Sequence, residues 1–268
     1  MNRGIKMLRR HIFLPVIFVI AVSFLFTNSA KAQLVKDGLV AYWSLDENAV
    51  TGKDVIDIIG GNDGSIVGNP KLVEGKIGSA LEFSGASDKI DIPGTDALAF
   101  NGKSELSAAA WINVMGHSGS CCDPIVAQRD VSSWALRYDN RNIGAELELI
   151  VSPGWVGDGD GFGIEVPDQE EWHYLVGVCT GDQLLMYLDG ELGENGEIAF
   201  PGAISSGGTA TTIGGASDGY FMGIIDEVVI YDKALSEAEI KQNFQAQGLS
   251  GAVDTLGKLA VCWGQIKK

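Results

Sequence analysis

Several acidic and aromatic side chains have the type and spacing to do chemistry. Asp226 stands in GIIDEVVIY (223–231), which alternates as a strand buried on both faces: Ile225, Val229 and Tyr231 on one side, Ile224, Val228 and Ile230 on the other. On that count Asp226 falls in the second, wholly apolar row. An ionised carboxylate there is costly unless hydrogen-bond donors or a metal ion compensate it. The long loop PGWVGDGDGFGIEVPDQ (153–169) offers a different chemistry. Its Trp155, with Trp134 on a neighbouring strand, could stack on a sugar ring, while His117, Asp158 and Asp160 supply polar contacts from loops, where binding residues concentrate. Asp158-Gly-Asp160-Gly lacks the downstream acids of a calcium-binding loop. His173 is expected to be a packed histidine bonded to a nearby loop. No Ser or Cys lies in a recognisable nucleophile context.

Those residues need a scaffold, and composition points to strands. The chain has 268 residues, 46% of them hydrophobic, enough for one sizeable core. Its 36 Gly against 7 Pro punctuate β-branched and aromatic runs at short intervals, which favours an all-β protein. Residues 1–32 read as a secretory signal: a basic start (Arg3, Lys6, Arg9, Arg10), the apolar run Ile12 to Phe26, and Ala30-Lys31-Ala32 before Gln33. Secretion to the exterior or cell surface is therefore expected, with no membrane span after cleavage. Removing that segment leaves 14 basic against 35 acidic residues, a net charge of −21. Such a surface repels nucleic acid and anionic membranes and tolerates a divalent cation. Cys121, Cys122, Cys179 and Cys262 can pair in three ways. Strain between the adjacent pair favours at least one of them reaching Cys179 or Cys262, and the spacing fits no zinc template.

Gly38–Asp46 (GLVAYWSLD) is the first expected strand, with Leu39, Ala41, Trp43 and Leu45 on one face. TGKDVIDIIGGNDGSIVG (51–68) reads as a Gly-rich loop containing Asp57 and Asp63. Strands follow at 75–85, 89–92 and 105–115; 124–129 and 134–138 look like hairpin arms, with 145–152 beside them. Residues 172–179 and 183–188 pair through a tight turn, and Asp189-Gly190 leads into 191–200. After a short strand at 211–213 and the strand at 223–231, Ser236 and Glu239 form a capping box that opens a helix with Ile240 and Phe244 on one side. About twelve to fourteen strands with frequent turns fit two packed antiparallel sheets. Residues 33–248 form the expected domain and 249–268 a tail, in which KLAVCW (258–263) either adds an edge strand or hangs free.

GLVAYWSLDE, GKIGSALEFSG, ELSAAAWINV, EWHYLVGVCTGDQLLMYLDGEL and GIIDEVVIYDKALSEAEI occur in the order seen in laminin-G-like domains. Over residues 36–245 the chain resembles this family, in its bacterial secreted form, among the concanavalin A-like lectin/glucanase jelly rolls. The resemblance implies a two-sheet antiparallel jelly-roll sandwich with a short C-terminal helix. It also implies a structural Ca²⁺ held between the end of the first strand, the following loop and the last core strand: here Asp46, with Glu47 beside it, Asp57, and Asp226. Ca²⁺ takes about six to eight oxygens, so loop carbonyls must supplement these carboxylates. The competing expectation is that loop amides satisfy Asp226 without metal. Enzymes of the superfold carry three carboxylates along one strand face. Here Glu146 and Glu148 alternate but Ile150 takes the third place, so both read as the solvent side of a strand.

The expected function is a secreted, non-catalytic, Ca²⁺-stabilised module binding carbohydrate or a surface glycan. The alternatives are an adhesion or structural module whose partner is an extracellular protein and, third, a glycoside hydrolase.

Overall fold

The computed structural model describes residues 32–119, 121–141, 146–159, 161–166, 169–200, 202–246, 248, 253–254 and 258–259. Almost all of the expected leader, most of the expected tail, Asp160 and Cys262 lie outside the described residues. In chain order the strands are β1 (Leu39–Trp43), β2 (Val50–Thr51), β3 (Asp54–Val55), β4 (Gly64–Val67), β5 (Lys71–Glu74), β6 (Ser79–Ser84) and β7 (Lys89–Ile92). There follow β8 (Leu106–Val114), β9 (Cys122–Ala127), β10 (Trp134–Asp139), β11 (Glu146–Val151), β12 (Ile164–Glu165) and β13 (Trp172–Cys179). Then come β14 (Gln183–Leu188), β15 (Glu191–Ala199), β16 (Thr211–Ile213), β17 (Gly215–Ala216), β18 (Gly219–Tyr220), β19 (Met222–Tyr231) and the helix α1 (Glu237–Gln245).

Two antiparallel sheets account for most of these strands. An eight-stranded sheet runs β15-β14-β13-β8-β19-β6-β5, with β1 also paired to β19. A nine-stranded sheet runs β12-β11-β10-β9-β16-β7-β4-β3-β2. Their inner faces close on one core, in which Trp43, Leu81, Ile112 and Ile225 meet Ile90, Ile125, Leu136 and Leu149. This is the expected all-β sandwich. The segment 51–68, expected to be loop, carries β3, β4 and the end of β2 at a sheet margin. Strands of two to four residues are too short to show alternation, so its Gly and Asp content dominated the pattern. The turn after β14 is as expected: Asp189 (φ 52°) and Gly190 (φ 87°) both take the left-handed conformation that a two-residue hairpin requires.

The outer face of the eight-stranded sheet is covered by α1. Tyr42, Trp111, Tyr174, Val229 and Tyr231 pack there with Leu235 and Ile240. Ser236 caps α1 in the expected box, accepting the Glu239 N–H while Glu239 Oε2 accepts the Ser236 N–H at 2.9 Å. Buried Asn243 ties the helix down, accepting the Val35 N–H at 2.8 Å and donating to Tyr231 Oη at 3.0 Å. Residues 253–254 and 258–259 pair only with each other, so that part of 258–263 does not extend either large sheet. Among the described residues no helix is long and apolar enough to cross a membrane.

One irregularity corrects the expected facing of Asp226. The pairing of β19 with β8 shifts register between Asp226 and Val229, and Glu227 there has φ 53°. A bulge of this kind reverses the alternation. Ile225, Val228 and Ile230 therefore all face the inner core, whereas Val229 and Tyr231 face the helix side. Asp226 pairs with Trp111 and shares its outer face, so it leaves the apolar row in which simple alternation puts it.

Candidate functional site

The densest polar constellation lies on the outer face of the nine-stranded sheet. Trp134, Leu136 and Tyr138 of β10 and Leu147, Leu149 and Val151 of β11 point into the core, so Ala135, Arg137, Asp139, Glu148 and Ile150 point the other way. Arg137 and Glu148 are cross-strand partners. Arg137 Nε and Nη2 lie 2.7 and 2.6 Å from Glu148 Oε1. Nη2 also reaches Asp158 at 2.8 Å and Asp139 at 3.3 Å, and Nη1 reaches Asp218 at 3.4 Å. Asp158 comes from the 152–163 loop and Asp218 from the turn between β17 and β18, and these loops help roof the strands. Arg141 bridges Asp139 and Asp158, and Arg129 Nε donates to Asp218 at 2.7 Å. Carboxylate oxygens of Asp139, Glu148 and Asp158 lie within 4.8 Å of one another.

Environment separates these acids. One guanidinium shared among four carboxylates does not compensate Glu148 for its loss of water, and burial pushes it up to about 8. Burial acts on Asp139 too, but hydrogen bonds from Arg141 and the charges of Arg137 and Arg141 hold it below the usual carboxylate range. Glu148 Oε2 and Asp218 Oδ1 are buried with no hydrogen-bond partner among the described residues. Glu148 thus departs from expectation: it is fully buried under the loops, not on a solvated strand side.

The sequence candidates divide around this cluster. Asp158 is in it. Trp155 is beside it, half-buried against Ala127, Ala135 and Ile150, with the Arg129 guanidinium 4.0 Å above its ring. It therefore walls the cluster and is not an open platform. His117, in the exposed loop before β9, accepts the Gly119 N–H at 3.2 Å and lies 2.9 Å from Asn140 Nδ2, just past the end of β10. Trp134 is not a ligand contact: it is fully buried in the core, edge-on to Phe100, because it sits on the inward phase of β10. Asp160 lies outside the described residues. Arg129, Arg137, Arg141, Asp139 and Asp218 were missed. The available signal was two matched alternations, Arg137/Asp139 and Glu146/Glu148, on what read as adjacent antiparallel strands.

Of the expected calcium ligands, Asp46 and Asp226 converge. Because β1 lies against β19, both reach the 75–79 loop: Asp226 Oδ2 accepts the Ile77 N–H at 3.0 Å and Asp46 Oδ1 the Ser79 N–H at 2.9 Å. Gly75 and Gly78 make this approach possible, since an added Cβ would lie 2.7 Å from Asp226 Oδ2 and 2.1 Å from Asp46 Oδ1. Burial, opposed by the Ile77 N–H and reinforced by the charge of Asp46, pushes Asp226 up to about 7. Burial and Asp226 push neighbouring Glu227 up to about 8. Asp226 Oδ1 and Glu227 Oε1 have no partner among the described residues. An orphaned oxygen amid excess negative charge suits a cation. Asp57 differs, because its two oxygens already accept five N–H bonds, from Tyr42, Ile59, Gly60 and, twice, Asn62. That donor set makes it the organiser of the 57–62 loop, with no lone pair facing a shared ion.

The cysteines pair otherwise than expected. Cys121 joins its neighbour Cys122, and Cys179 keeps a buried thiol donating to the Ser104 carbonyl. Cys179 points into the inner core from the eight-stranded sheet, whereas Cys122 shares the outer face of the other sheet with Asp139. His173 is the packed residue expected, with Nδ1 2.8 Å from Asp189 Oδ2.

Residues 84–241 match a family described as the concanavalin A-like lectin/glucanases superfamily, Laminin_G_3. No curated protein sequence matches the chain. Among solved structures it is similar to domain 4 of AbnA, a GH43 extracellular arabinanase from Geobacillus stearothermophilus in complex with arabinotriose. The TM-score is 0.60 at 20% identity, over 80% of this chain and 99% of that one. It is also similar to Trypanosoma rangeli sialidase in complex with the inhibitor DANA, with TM-score 0.56 and 17% identity, covering 80% of this chain and 34% of that one. A third likeness is to the receptor binding domain of botulinum neurotoxin C/D mosaic serotype, with TM-score 0.53 and 16% identity, covering 79% and 52%. The chain thus spans about a third of the sialidase and about half of the toxin domain.

Proposed function

Since the chain belongs to the concanavalin A-like lectin/glucanases superfamily, we propose that it is a secreted, non-catalytic carbohydrate-binding module stabilised by Ca²⁺. The observation that carries the binding site is the Arg137 cluster. A buried base of Arg137, Glu148 and Asp139 fixes the partly exposed Asp158, Arg141, Asp218 and Arg129 beside Trp155. Planar polar groups locked by a second layer, with Trp155 as a wall, suit the hydroxyls of a sugar. Burial supports the non-catalytic reading: Glu148, the acid best poised as a proton donor, is 0% exposed, with one oxygen held by Arg137. Asp46 and Asp226 would hold the Ca²⁺, which would neutralise their mutual repulsion and fix the 75–79 loop to the β1–β19 pair.

A glycan array probed with calcium-loaded protein tests this. A signal lowered about tenfold in Asp158→Ala, with no reducing sugar released, is the expected result. Sugar release lost in Glu148→Gln would make the protein a hydrolase. A protein-docking module is the second reading, favoured by Ile56, Ile58 and Ile59, exposed by 42–45% on one loop. A blank array together with capture of a protein partner through that loop would establish it.

A further inference from the structure

We infer that the Arg137 site takes a non-anionic saccharide, neutral or amino-bearing, and turns away sialylated, uronate and sulfated glycans. The inference rests on reading that face as the sugar site. Arginines beside a glycan site ordinarily suggest anion recognition, but these are already spent. The Arg137 guanidinium meets Glu148, Asp139, Asp158 and Asp218 through its three nitrogens. Arg141 is clamped by Asp139 and Asp158, and Arg129 is held between Asp218 and the Trp155 ring. Each guanidinium is therefore engaged by the protein's own acids, and none is left over for a ligand anion.

What remains unmet is acceptor capacity. Asp218 Oδ1 has no partner among the described residues, and the Asp158 carboxylate is partly exposed at the rim. These carboxylates call for donors, which sugar hydroxyls and ammonium groups provide and carboxylate or sulfate groups do not. A ligand anion would meet the carboxylates of Asp158 and Asp218 and no free guanidinium in a partly desolvated site, on a chain whose formal net charge is −16. Like-charge juxtaposition of that kind discriminates by repulsion.

Matched immobilised probes test the inference on the full chain: lactose against 3′-sialyllactose, galactose oligomers against galacturonate oligomers, and N-acetylglucosamine oligomers against glucosamine oligomers. Neutral and amino members should be retained, with acidic counterparts weaker by on the order of tenfold at physiological salt. Raising the salt should shrink that ratio in the unmutated protein. Asp158→Asn and Asp218→Asn should shrink it at constant salt. Preferential retention of an acidic member would overturn the inference while leaving a sugar-binding module. A ratio unmoved by both salt and the two variants would also overturn it. Failure of every probe would sink the sugar site itself, and the inference with it.

Discussion

Arg137 and Glu148 face each other across β10 and β11 with both side chains only 1% exposed, their atoms 2.6 and 2.7 Å apart on the outer side of a sheet. A buried pair in such a place adds little net stability against an apolar pair of the same volume. Breaking it by removing one partner is costly, because the other polar group stays buried without its hydrogen bonds.

Arg137→Met should therefore destabilise by about 3–5 kcal/mol, leaving Asp139, Asp158 and Asp218 with less compensation and Glu148 buried without a partner. The double change Arg137→Met with Glu148→Leu should recover much of that loss. Urea unfolding of the three proteins checks both statements, and a double variant no more stable than the single one would contradict the pairing.

Stability should fall as pH rises through the neutral range. Glu148 is raised from 4.5 to about 8, so the folded form holds a proton that the unfolded form releases. Its favourable contribution is full below about pH 4.5 and is lost progressively towards pH 8. Glu148→Gln keeps the shape and removes the titration. Melting curves in saturating calcium should show a flatter decline between pH 5 and pH 8 for the variant. Slopes identical to the parent would show that Glu148 is ionised throughout.

Calcium should raise the melting temperature and chelation lower it. At about 100 times the dissociation constant a ligand adds roughly 2.7 kcal/mol, which is about 5–10 °C for a domain of this size. Asp226→Asn should abolish most of the calcium response. Asp57→Asn should lower the melting temperature through its lost amide partners and leave the calcium response intact. A response lost in Asp57→Asn but kept in Asp226→Asn would reverse the two assignments.

The two tryptophans should behave oppositely. Trp134→Ala empties a fully buried core position and should cost about 3–5 kcal/mol. Trp155→Ala should cost less in stability but weaken glycan retention by freeing Arg129 from its ring. Equal stability losses would place Trp155 in the core as well.

Much of the fold was legible because long strands such as β8, β13 and β19 carry enough residues to show their period, and because Ser236/Glu239 and Asp189-Gly190 are local signals needing no tertiary context. Asp158 and Trp155 were found through loop composition, and the convergence of Asp46 with Asp226 through the neighbouring places of β1 and β19. The facing of Asp226 was not legible, since a bulge leaves no trace in hydrophobic periodicity. Nor was the burial of Arg137 and Glu148. Alternation shows that both leave the inner core, but not that loops distant in sequence cover the other side. Asp57 was misread because an acid shortly before paired glycines fits an ion loop and an amide-bonded turn equally well.

The bond between Cys121 and Cys122 joins neighbours in the chain, and this limits what it does for the molecule. A crosslink spanning no intervening residues hardly restricts the denatured chain, so it is not a staple in the sense that secreted domains usually employ. The sandwich should therefore survive a reducing environment with its global stability nearly intact. Opening the ring would be felt locally, in the margin of the sheet where Cys122 adjoins Asp139.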